Sequence, residues 1–154
     1  MIDLILSFFG KKRRNHRMMS KPIPKDLPAN LKIGLAGENA ATALYIKQGF
    51  EILERNYRQG KAEIDIIAKN RKYFVFCEVK SHVGSPDEPS PFGRPAAAVD
   101  TEKKQHMAAV ASYFAKRYGK SERRFRFDVV EVYLSADLKP IFINQIKSAF
   151  TKNG

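Results

Sequence analysis

Two apolar runs at the centre of the chain, Ala62 to Ala68 and Tyr73 to Lys80, are rich in β-branched and aromatic residues and flank the polar Lys69-Asn70-Arg71-Lys72. That pattern predicts a β-hairpin. Upstream, Ala36, Ala40, Ala41, Ala43 and Leu44 recur at helical spacing, which predicts a helix over Leu35 to Gln48 ended by Gly49, then a strand over Phe50 to Tyr57. Residues 81 to 95 hold four prolines and two glycines, a composition that predicts a long loop beside the hairpin. A second helix is expected from Asp100 or Thr101 to Tyr118, with Met107, Ala111, Phe114 and Tyr118 on its core face and Gly119 after it. Phe125 to Leu134 reads as a strand. Pro140 to Ile143 reads as a last short strand, followed by a helical turn ending near Phe150.

The hairpin carries charges that such runs normally exclude: Asp65, Glu78 and Lys80. Side chains alternate along a strand, so Glu78 and Lys80 share a face with Phe74 and Phe76. A two- or four-residue loop centred on Asn70 and Arg71 pairs Asp65 with Phe76 and Glu63 with Glu78. Asp65 then lies diagonal to Glu78, about 7 to 8 Å away, near enough for both carboxylates to share one cation. A three-residue loop would put Asp65 on the opposite face. Charges desolvated on a sheet must be paired, coordinated or neutralised, and a Glu78–Lys80 ion pair alone would satisfy two of the three.

Composition narrows the class. The 154 residues suit one domain with a single core, at 44% hydrophobic content. The single cysteine, Cys77, allows no internal disulfide and fits a reducing cytoplasm. The formal charge is +12, and residues beyond 30 still hold 21 basic against 14 acidic side chains. Such an excess favours a polyanionic partner, nucleic acid first and an anionic membrane second.

Residues 1 to 9 are apolar but far short of the roughly 20 needed to span a bilayer, and Lys11 to Arg14 follow rather than precede them, unlike a secretory signal. Residues 1 to 30 are therefore read as a flexible basic extension, in which Pro22, Pro24 and Pro28 mark a linker and residues 1 to 17 could touch a membrane surface weakly. Residues 31 to 150 form the expected domain. Glu38 falls in the opening turn of the expected first helix, where the helix dipole alone would favour it. Arg55, Arg58 and Lys61 form a basic stretch suited to phosphate contacts, and Lys103 is expected on the exposed face of the second helix. His82 sits in the expected loop and reads as a solvated side chain, with contact to a substrate as the alternative. Arg124-Phe125-Arg126-Phe127 reads as core packing with a basic edge, and Asp128 as a carboxylate paired with Arg126.

Gly37-Glu38, Glu63-Ile64-Asp65, Glu78-Val79-Lys80, the Lys103-bearing helix and Arg126-Phe127-Asp128-Val129-Val130 together resemble the YraN-like bacterial family over about residues 31 to 150. That family is similar in fold to restriction endonucleases and Holliday-junction resolvases, whose signature is an Asp, a variable gap, then Glu-x-Lys. The resemblance implies that Asp65 and Glu78 bind a divalent metal, Mg²⁺ or Mn²⁺. It also implies that Lys80 acts on the attacking water and that Glu38 is an accessory acid. Ala62 departs from the family's usual Gly, and every acid stays in place.

The expected fold is α/β, a restriction-endonuclease-like core with a central mixed sheet flanked by helices. The expected function is Mg²⁺-dependent hydrolysis of phosphodiester bonds in DNA, including branched or junction DNA. The alternative is a non-catalytic nucleic-acid-binding module that acts with a partner nuclease. A homodimer is compatible with either.

Overall fold

A computed structural model describes residues 20–88, 100–117 and 124–151. Its elements are α1 (Ala29–Lys47), β1 (Glu51–Gln59), β2 (Ala62–Lys69), β3 (Tyr73–Val83), α2 (Thr101–Arg117), β4 (Arg124–Leu134) and β5 (Pro140–Phe150). The strands form one sheet in the order β1-β2-β3-β4-β5. Neighbours are antiparallel except β3 and β4, which run parallel because α2 carries the chain back between them.

The sheet has a helix on each face. Alternate residues of β3 and β4 divide between two cores: Phe74, Phe76, Phe127 and Val129 pack with Met107, Val110, Ala111 and Phe114 of α2. Val75, Cys77, Val130 and Val132 pack with Ala36, Ala41 and Tyr45 of α1. Both faces of β3 are buried, which explains its nearly unbroken apolar run. On the α1 side a buried polar network ties the layers together. The Tyr45 hydroxyl donates to Asp128 Oδ2 at 2.7 Å, and Arg126 Nη2 donates to the same oxygen at 2.8 Å. Asp128 is thus the paired structural carboxylate expected beside Arg126, and burial pushes the Tyr45 hydroxyl far above its ordinary pKa.

Several expectations are corrected. Helix α1 begins at Ala29, not Leu35, so Glu38 lies mid-helix and no dipole argument applies to it. Residues 20 to 28 are not a free linker: the Lys21 backbone exchanges hydrogen bonds with Asn39, at 3.0 and 2.8 Å, and Ile23 packs on the α1-side core. Strand β3 continues to Val83, which puts His82 on a strand and starts the loop at Gly84. Residues 140 to 150 are one strand with no helical turn. Pairing with β4 wins there, because Ile143 and Ile146 each reach a core through it. The apolar start of the chain, its basic run, residues 89 to 99 and Tyr118 lie outside the described residues.

Candidate metal and nucleic-acid site

The hairpin register differs from the one the sequence suggested. Ile66 pairs with Cys77 and Ile67 with Phe76, two residues displaced from the expected register, because the turn is centred on Arg71 and Lys72. Asn70 closes it: its Oδ1 accepts the Lys72 and Tyr73 N–H groups at 2.8 Å each. An even displacement preserves the faces. Carried one step further, the register sets Asp65 opposite Glu78 rather than diagonal to it.

The ladder stops there. β2 and β3 pair only as far as Ile66 and Cys77, and Asp65 Oδ2 accepts the Val79 N–H at 2.7 Å in place of a backbone carbonyl. The cause lies partly in β1. Asn56, flanked by the Arg55–Ile66 and Tyr57–Ile64 pairs and therefore opposite Asp65, has φ of 51°. That left-handed kink reverses the alternation on both strands. Arg55 meets Glu38 of α1 while Tyr57 packs its ring 5.3 Å from Phe114 of α2, and Ile66 and Ile64 divide likewise between the two cores. The β1–β2 tip therefore swings away from β3, and the second half of β3 is left with an open edge.

A cleft of about 330 Å³ fills that opening, lined by Glu38, Glu63, Asp65, Glu78, Lys80 and Lys103 among others. All four candidate catalytic residues meet in it. Glu38 reaches it from the middle of α1, where its Oε2 accepts Asn56 Nδ2 at 2.9 Å and Arg55 Nη2 at 3.4 Å. Gly37 makes this approach possible: a Cβ there would lie 1.8 Å from Ser81 Oγ and 2.8 Å from Ser81 Cβ on β3. Glu78 is buried at 7% exposure, between Lys80 Nζ at 3.3 Å from Oε1 and Lys103 Nζ at 2.9 Å from Oε2. Each carboxylate oxygen of Glu78 thus faces an ammonium group.

Electrostatics in the cleft is strained on the acid side. Burial, and then the facing Glu78 carboxylate, push the Asp65 pKa up to about 8 despite the opposing Val79 N–H. Two carboxylates held in one desolvated cleft favour either a proton or a cation between them.

The expected nucleic-acid contacts separate into two groups. Arg58 and Lys61 are exposed at the β1–β2 tip, with Arg58 only 3.3 Å from Glu63. Arg55 is corrected: it is 8% exposed, and its guanidinium is turned inward onto Glu38 and Asn39 Oδ1, where a phosphate cannot reach it. Lys103, expected on an exposed face, lies in the cleft beside Glu78. Glu131 was not singled out from sequence. It pairs in register with Lys80, is 6% exposed and accepts Asn144 Nδ2 at 2.8 Å. The period-two run Phe127, Val129, Glu131 carried that signal, since it puts Glu131 on the face of Glu78 and Lys80.

Mixed sheet, flanking helices and splayed hairpin make this an α/β protein consistent with a restriction-endonuclease-like core. The chain belongs to the uncharacterised protein family UPF0102, whose sequence model matches residues 37–132, and this is the YraN-like family the motifs resemble. It is 42% identical over 123 residues to a UPF0102 protein of Caldicellulosiruptor bescii, covering 79% of this chain and 99% of that one. A UPF0102 protein of Caldicellulosiruptor saccharolyticus is 40% identical over 119 residues (77% and 97%), and one of Moorella thermoacetica 38% over 117 (76% and 93%). Among the described residues no helix is long and apolar enough to cross a membrane.

Proposed function

We propose that this protein is a divalent-metal-dependent nuclease that hydrolyses phosphodiester bonds in DNA. The observation that carries the reading is that Asp65, largely desolvated, and buried Glu78 face each other in one cleft at the point where β2 leaves β3. Two desolvated carboxylates facing one cleft suit an oxygen-seeking cation. Among the described residues no three His, Cys, Asp or Glu side chains cluster tightly enough to hold an ion by themselves. Asp65 and Glu78 would therefore be joined by a backbone carbonyl and water, as suits Mg²⁺ or Mn²⁺. Such an ion supplies charge neutralisation at a phosphate and acidifies a neighbouring water.

The chain's own groups do the rest. Lys80 Nζ, 3.3 Å from Glu78 Oε1, presents an ammonium at the cleft where it orients a water and stabilises the negative charge that water gains. Lys103, on the other side of Glu78, offers a second positive group to the phosphate. Glu38, fixed by Asn56 and Arg55, is an accessory acid that accepts a proton from solvent in the cleft. Exposed Arg58 and Lys61 extend the positive surface along the β1–β2 tip.

A second reading rests on the two lysines. Glu78 already has an ammonium partner on each oxygen, Lys80 and Lys103, which favours a non-catalytic nucleic-acid-binding module. Incubation of labelled linear, single-stranded, flap and four-way-junction DNA with Mg²⁺ or Mn²⁺ separates the two. We expect products that chelation abolishes. Intact DNA throughout, with retained binding, would overturn the nuclease reading in favour of the binding module.

A further inference from the structure

Beyond Lys80, the same face of the sheet changes character from charged to aromatic. His82 is two residues past Lys80 on β3, about 7 Å along the strand and on the same side. It pairs in register with Tyr133 of β4, and Tyr133 pairs with Phe142 of β5. The three rings form a row across three strands, with centroids 5.2 Å apart for His82–Tyr133 and 5.9 Å for Tyr133–Phe142, tilted by 35° and 54°. The alternation that sends Val130, Val132 and Leu134 into the α1-side core leaves Tyr133 on the cleft face. Phe142 is 48% exposed, whereas an aromatic ring serving only as core would be covered. His82 adds a buried Nε2 that has no hydrogen-bond partner.

We propose that His82, Tyr133 and Phe142 form a stacking platform for the unpaired bases of a nucleic-acid strand whose backbone passes through the acidic cleft. This rests on the nuclease reading for its substrate class and deepens it: the substrate carries single-stranded nucleotides next to the phosphate in the cleft. Three features favour bases as the occupant. Aromatic faces stack every base without reading its identity. The row is continuous with Lys80, so a strand whose phosphate lies at the cleft carries its next bases over the rings. Finally, the cleft lies at an open strand edge, where a base pair would have to be displaced sideways and a lone strand would not.

The test is binding in EDTA, which is independent of any metal and of cleavage. Affinity for single-stranded and duplex DNA of one sequence is measured by fluorescence anisotropy for the wild type, Phe142→Ala and Tyr133→Leu, with an RNA strand in parallel. Loss of one stacking ring should weaken single-strand binding by roughly five- to a hundredfold and leave duplex binding unchanged. Because the chain has no tryptophan, Phe142→Trp supplies a single indole whose emission single strands should quench saturably. Comparable quenching by RNA would name RNA as the strand and uphold the platform. Unchanged single-strand affinity in both truncations, or equal losses for single strands and duplex, would overturn it. Cleavage by the wild type alongside unaltered Phe142→Ala binding would end the platform and leave the nuclease standing. Selective single-strand losses without cleavage of any DNA would uphold the platform on a binding module.

Discussion

Asp65 Oδ2 accepts the Val79 N–H at 2.7 Å, so a carboxylate takes the ladder position that a β2 carbonyl would otherwise occupy. Together with the Asn56 kink in β1, this side chain marks the end of the β2–β3 pairing, and it faces Glu78 across the cleft.

The first consequence is a pH dependence. In the folded protein Asp65 titrates at about 8, whereas an unfolded aspartate titrates near 3.9. Between those values the folded state holds a proton that the unfolded state has released, so this group's stabilisation is complete below about pH 4 and lost as pH rises through 8. The melting temperature of the metal-free wild type, taken relative to Asp65→Asn, should fall steadily from pH 4 to pH 8. Mg²⁺ or Mn²⁺ added at pH 8 should raise the wild type and leave Asp65→Asn unmoved. A pH-independent difference between the two proteins would contradict the assigned environment.

Gly37 fixes how closely α1 approaches β3. Gly37→Ala drives a Cβ into Ser81, whose own Cβ lies only 2.8 Å away, and should destabilise the fold by about 1–3 kcal/mol, the usual range for overpacking. Ser81→Gly in the same chain removes the obstructing atoms and should recover most of that loss in denaturant unfolding. No recovery in the double variant would show that helix approach is not set at this contact.

Asn56 holds the kink opposite Asp65 through three features: its left-handed backbone, its bond to Glu38, and Lys21 Nζ donating to its Oδ1 at 2.8 Å. Asn56→Ala should lower stability by about 2–4 kcal/mol, combining backbone strain with lost charge-assisted hydrogen bonds. Asn56→Gly relieves the strain alone and should lose less. Equal losses in equilibrium unfolding would mean that the kink stores no strain.

Lys80 separates catalysis from charge balance. Lys80→Met keeps most of the stem and removes the ammonium beside Glu78. If Lys80 acts on the nucleophile, cleavage should fall by about 10² to 10³ with DNA affinity little changed. If it only pairs with Glu78, the melting temperature should fall instead. A well-folded Lys80→Met protein that cleaves at full rate would remove Lys80 from the mechanism.

The acidic hairpin was legible because charges stand out in an apolar, period-two run, and Asp65, Glu78 and Lys80 needed only the right parity to share a face. The register itself was not legible to within two residues, since it depends on Asn70 capping a turn centred one residue later than expected, on Arg71 and Lys72. The full reach of β5 was hidden for a different reason. Residues 144 to 150 carry few apolar positions, and their extended form is imposed by β4. Arg55 shows the limit of reading charge as exposure. The Asn56 kink turns it inward, and a left-handed asparagine in a strand leaves no pattern in the sequence. Glu38 was found as a residue but misplaced within its helix, because α1 starts at Ala29, just after Pro28, six residues before the apolar periodicity becomes clear.

The most direct test of the central claim compares the wild type with Asp65→Asn and Glu78→Gln, purified identically and verified to be folded by thermal melting. Each is incubated with labelled flap and junction DNA in Mn²⁺. The account predicts metal-dependent cleavage by the wild type and loss of at least about a hundredfold in rate for either variant, with DNA binding retained. Equal cleavage by all three proteins, or none by the wild type on any substrate, would contradict the assignment of Asp65 and Glu78 as the metal-binding pair of a nuclease.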